Sequence, residues 1–137
     1  MTREITLMQE VNSPNVVKLK TFTKTENTYY LSMELLNGGD LESYVKLRGG
    51  FLREKEAGLI IRQIVHGLVA LKKKNVMHRD LKLANIMVQF SELRQDTCND
   101  KNFDLKQYIK TFDFDNNHTT ATFKITDLGF SRKLEED

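Results

Sequence analysis

Apolar positions along the chain follow two different periods, and the changes between them mark out its elements. Ala57, Ile60, Ile61, Ile64, Val65, Leu68 and Leu71 recur at three- and four-residue spacing. That is the signature of an amphipathic helix of four turns. Lys72, Lys73 and Lys74 close it, where cations suit the helix dipole. A shorter pattern of the same kind, Ile5, Met8 and Val11, predicts a helix over residues 3–11. Asn12-Ser13-Pro14-Asn15 ends it, because the residue before a proline avoids the helical region. Residues 16–19 and 28–33 are rich in β-branched and aromatic side chains and predict two strands, with 24–27 as the hairpin loop. Asn37-Gly38-Gly39 breaks the pattern, and Asp40 is placed to N-cap a short helix reaching Leu47. Gly49-Gly50 ends that helix. Ile86-Met87-Val88 is a short apolar run, and residues 123–126 predict a further strand. Between them, Asn, Asp, Gln, Thr and Lys dominate 89–122, which predicts a long loop or flexible insertion.

Composition narrows the setting. A chain of 137 residues, 39% apolar and 29% charged, suits one small globular domain. A net charge of +2 gives no reason to expect nucleic acid as a partner. The stretch 57–71 is interrupted by Arg62, Gln63 and His66, and is too short and polar for a membrane span. No apolar stretch follows the N-terminus, so no signal peptide is expected. A single cysteine, Cys98, excludes an internal disulfide and points to a reducing, cytoplasmic setting.

The chemistry is concentrated in His78-Arg79-Asp80-Leu81-Lys82-Leu83-Ala84-Asn85, which fits H-R-D-L-x-x-x-N without a gap. With this motif just after a long amphipathic helix, the chain resembles the eukaryotic serine/threonine protein kinases. The resemblance implies an α+β, incomplete protein-kinase-like fold. It would hold the end of the N-lobe (the αC helix and two or three antiparallel strands) and the first part of the helical C-lobe. Residues 1–36 would be N-lobe remnant and hinge, and 37–137 C-lobe with an insertion at 90–122. It implies ATP and Mg2+ as cofactors and a protein as substrate. Phosphoryl transfer needs positioning and charge neutralisation more than covalent chemistry. By resemblance, Asp80 would take the substrate hydroxyl's proton, Lys82 would contact phosphate, and Asn85 and Asp127 would hold magnesium through hard oxygens. Asp127-Leu128-Gly129 corresponds to the family's D-F-G, with Leu for Phe.

The same resemblance implies roles upstream. Glu4 would be the αC glutamate, and Met8, Leu19, His78 and Leu128 a column joining the lobes. Met33 would be the gatekeeper, with main-chain groups of Glu34 and Leu36 hydrogen-bonding adenine. Met87 would lie under the base, and Asp40 would reach ribose or substrate as well as capping its helix. No G-x-G-x-x-G loop or V-A-I-K strand occurs in the sequence, so negligible kinase activity is expected of this chain alone. Much of the 57–71 stripe would face C-terminal helices in family members. A marginally stable chain, or a partner protein over that C-lobe face, is therefore expected. Asp113-x-Asp115-x-Asn117 begins like a calcium loop, but His118 and Lys124 stand where Gly and Glu are required. The segment 105–114 is moderately apolar and reads as a docking segment or, more simply, a disordered surface loop. The sequences around Gly39 and Phe130 are similar to the autophagy-initiating branch of the family.

Overall fold

The computed structural model describes residues 5, 6, 9–128, 132 and 133. Ile5, Thr6, Gln9 and Glu10 are helical, within the expected first helix. Strand β1 (Leu19–Lys24) pairs antiparallel with β2 (Tyr29–Met33), with an irregularity between Leu19 and Thr21. The hairpin therefore begins later than the apolar run 16–19 suggests. Val16 and Val17 instead join Ile125, through a parallel bridge at Val16 and the Val17 N–H on the Ile125 carbonyl (2.9 Å). Their side chains are buried, which explains why they read as strand without belonging to the hairpin.

Helix α1 (Leu41–Leu47) starts at Asp40, whose side chain accepts from the Ser43 N–H, as its sequence position predicts. Helix α2 (Glu54–Lys73) is the long amphipathic helix. It buries Ile60, Gly67 and Leu71, while Ile61, Val65 and Val69 stay 58%, 46% and 45% exposed. The one stripe read in the sequence is thus two faces, and only one is covered here. Strand β3 (Val76–Met77) pairs with the short β6 (Arg132–Lys133). Strands β4 (Ile86–Phe90) and β5 (Ala121–Ile125) form an antiparallel pair, Ile86 opposite Ile125 and Phe90 opposite Ala121. Alternation buries Ile86, Val88 and Phe90 on one strand and Ala121, Phe123 and Ile125 on the other. Helix α2 packs against β5. A polar lock joins them: Gln63 Oε1 accepts from the Phe123 N–H (2.9 Å) and from Asn15 Nδ2 (3.1 Å), and Asn15 Nδ2 also donates to the Phe123 carbonyl (2.9 Å).

The segment 90–122 departs from the loop expected of its composition. It carries α3 (Gln95–Asn99), α4 (Leu105–Thr111) and α5 (Phe114–Asn117), with Asp104 capping α4 and Asp113 capping α5. Ile109, Phe112 and Phe114 are buried in the main core. The Phe90 ring lies 5.0 Å from that of Phe112 and 5.1 Å from that of Tyr108. Composition hid a short helical stripe, Leu105, Tyr108, Ile109 and Phe112, at i, i+3, i+4 and i+7. A buried network ties this segment to the first helices. Glu56 accepts from the Tyr44 hydroxyl (2.6 Å) and from Arg48 (3.2 Å), and Arg48 donates to the Phe112 carbonyl (2.6 Å). Among the described residues, no helix is long and apolar enough to cross a membrane.

Candidate active site

The 3-10 turn Leu83–Asn85 follows the H-R-D triplet and folds the loop back on itself. Asn85, 7% exposed, donates through Nδ2 to the Asp80 carbonyl (2.9 Å) and to Asp80 Oδ2 (3.1 Å). Lys82 Nζ stands 3.3 Å from the same Oδ2. The Asp80 carboxylate thus has a cation on one side and an amide on the other. Pinning the Asn85 amide nitrogen leaves its Oδ1 as an acceptor for a hard cation.

Asp127 reaches this place along β5. The Thr126 N–H donates to the Asn85 carbonyl (2.9 Å) and its hydroxyl to the same oxygen (3.2 Å). Asp127 therefore directly follows a residue bonded to Asn85. Arg79 and Asp127 have φ of 66° and 58°, left-handed values that ordinary side chains adopt only where the surroundings hold them. His78 is one such support. It is buried, its Nδ1 accepts the Asp80 N–H (3.2 Å), and its Nε2–H donates to the Thr126 carbonyl (2.8 Å). One imidazole in a single neutral tautomer so joins the loop of Asp80 to the strand end of Asp127. These bonds bring Asp80, Lys82 and Asn85 together, and set Asp127 one residue beyond the Thr126–Asn85 contact.

Residues 37–40 lie along the β4–β5 pair. The Gly38 N–H donates to the Val88 carbonyl and the Val88 N–H to the Gly39 carbonyl, each at 2.8 Å. Asp40 forms an antiparallel bridge with Met87. Asn37 is bolted to the end of β4: its Oδ1 accepts the Phe90 N–H (2.8 Å) and its Nδ2 donates to the Phe90 carbonyl (2.9 Å). Met33 is exposed and pairs with Leu19. Glu34 and Leu36 are half-buried. Burial raises the Asp40 pKa, but hydrogen bonds from the Ser43 main chain and hydroxyl outweigh it, and the net result is below the ordinary value. Capping is thus a role the geometry gives Asp40 directly. Leu19, His78 and Leu128 are all buried. Glu4 and Met8 lie outside the described residues. Sequence reasoning passed over Lys124, Asn37 and Thr126. Lys124 alternates with core residues along β5 as a solvent-facing lysine would, so no local signal marked it.

Asp80, Lys82 and Asn85 thus share one cluster, and Asp127 follows the residue bonded to Asn85. The protein kinase domain model matches residues 1–137, and the chain belongs to that family. Several relatives it matches bear the name serine/threonine-protein kinase. It is 32% identical over 131 residues to serine/threonine-protein kinase 33 of Mus musculus, covering 96% of this chain and 22% of that protein. It is 37% identical over 106 residues to serine/threonine-protein kinase DCLK3 of Mus musculus, covering 77% of this chain and 13% of that protein. With serine/threonine-protein kinase ATG1c of Arabidopsis thaliana the identity is 31% over 132 residues, 96% of this chain and 14% of that protein. The chain spans less than a quarter of the length of each of these relatives. Similar identities to differently named kinases single out no branch.

Proposed function

We propose that this chain carries the catalytic-loop and metal-hairpin half of an ATP-dependent kinase that phosphorylates serine or threonine on protein substrates. The observation that carries the reading is the shared cluster of Asp80, Lys82 and Asn85, joined to the strand end of Asp127 through Thr126. In this reading Asp80 accepts the substrate hydroxyl's hydrogen bond and takes its proton as the oxygen attacks the terminal phosphate. Lys82 moves from Asp80 to a phosphate oxygen, keeping charge balanced as the phosphoryl group passes. Asn85 Oδ1 and the Asp127 carboxylate are hard oxygen donors that fit magnesium, which keeps its remaining positions for water and phosphate. Bound there, the ion supplies neutralisation of the phosphate charge. The main chain of Glu34 and Leu36 receives adenine, Met33 borders the pocket and Met87 lies under the base. Residues 1–36 belong to the N-lobe and hinge and 37–137 to the C-lobe. Glu4 as the αC glutamate, and a cytoplasmic location, belong to the same reading.

The chain by itself holds no glycine-rich loop or V-A-I-K strand, so its own phosphoryl transfer is negligible. A second reading, a kinase-like module that docks a partner without catalysis, is favoured by the exposed row Ile61, Val65 and Val69. Titration with ATP and magnesium separates the two. Binding that requires magnesium, and loses that requirement in Asp127→Ala, supports the first. Binding of no nucleotide refutes it. Magnesium-dependent phosphorylation by the unmodified chain, lost in Asp80→Ala, would show that the chain alone is competent after all.

A further inference from the structure

The geometry points to Lys124 as a positioning residue for the nucleotide base, acting by tying the adenine-facing hinge to the strand that leads into Asp127. Lys124 Nζ donates to both oxygens of Glu34, at 2.9 and 2.8 Å. The two side chains are only 14% and 23% exposed, so the pair is sheltered rather than a loose surface contact. Glu34 Oε1 also accepts the Lys18 N–H (2.9 Å), and the Glu34 N–H donates back to the Lys18 carbonyl (3.0 Å). One carboxylate thus gathers the start of β1, the hinge and β5. Among the described residues, no main-chain partner occupies the N–H or carbonyl of Leu36, which leaves those groups for a ligand.

The position of Lys124 gives the tie its consequence. It stands on β5, three residues before Asp127, which follows the end of that strand, and opposite Met87 on β4. A nucleotide must reach the hinge with its base and the Asn85–Asp127 end with its phosphates at once. Its affinity therefore depends on the distance between those two ends. Val17 on Ile125 and Asn37 on Phe90 hold the hinge region at either side, but neither restrains Glu34 itself. The Lys124–Glu34 pair does. This rests on the active-site reading above and adds to it a residue that touches neither base nor phosphate.

The test compares three ligands on the full chain: adenosine, magnesium-ATP and magnesium tripolyphosphate, titrated by NMR. Lys124→Met removes the charge at similar length. It is expected to weaken adenosine and ATP about tenfold, the change that ~1.4 kcal/mol produces. Tripolyphosphate, which uses only the phosphate end, should change less than about twofold. Lys124→Arg should restore most of the loss. Glu34→Gln, which keeps an acceptor for the Lys18 N–H and so preserves local structure, should show the same selectivity if Lys124→Met folds poorly. Unchanged adenosine binding in folded Lys124→Met, or equal losses for all three ligands, would overturn the positioning role. An unmodified chain that binds none of the three would overturn the active-site reading beneath it, and this inference with it.

Discussion

Two glycines in helix α2 should respond to the same substitution with opposite sign. A Cβ on Gly58 would meet nothing within 4 Å, so Gly58→Ala keeps only the gain in helix propensity, about 0.8–1 kcal/mol. A Cβ on Gly67 would stand 2.6 Å from the Asn15 carbonyl oxygen and 2.9 Å from Ile125 Cδ1. The first neighbour is backbone, and it also accepts the Ile125 N–H at 2.9 Å. Relief requires helix and loop to part. Overpacking of this kind costs about 1–3 kcal/mol. Weakening the buried hydrogen bond adds roughly 0.5–1.5 kcal/mol. Setting the propensity gain against these leaves Gly67→Ala less stable by about 1–3 kcal/mol. Urea unfolding followed by circular dichroism would measure both variants against the parent. Equal stabilisation by the two substitutions would refute the close approach of α2 to Asn15 and β5, on which the placement of Asp127 depends.

Other perturbations address the remaining supports. Glu56→Ala would leave Arg48 buried without its carboxylate and should destabilise by about 3–5 kcal/mol in the same assay. Phe112→Ala should cost about 3–5 kcal/mol, whereas a detached loop at 90–122 would register no loss. Burial, reinforced by the hydrogen bond to Glu56, raises the Tyr44 pKa above its ordinary value of 10.0. A raised acid favours the protonated folded state, so this contribution is complete below pH 10. It is lost as pH climbs from there toward the folded value, and Tyr44→Phe should flatten that alkaline decline.

The sequence by itself determined the local and the chemical. A gapless match to H-R-D-L-x-x-x-N after an amphipathic helix carried the resemblance to the protein kinase family, since so many fixed positions seldom coincide by chance. Period and punctuation placed α1, α2, strand β2 and the strand before Asp127, because helix and strand spacing and turn residues act over a few neighbours. Tertiary structure alone decided the rest. Val16 and Val17 turned from the hairpin to Ile125 because their apolar side chains find cover there. The 90–122 segment folded because Ile109, Phe112 and Phe114 share one core with Phe90, distant from them in the chain, which the segment's average polarity concealed. Lys124 and Glu34 lie ninety positions apart, and no local pattern announces a pair whose attraction exists only once three strands bring its charges within 3 Å.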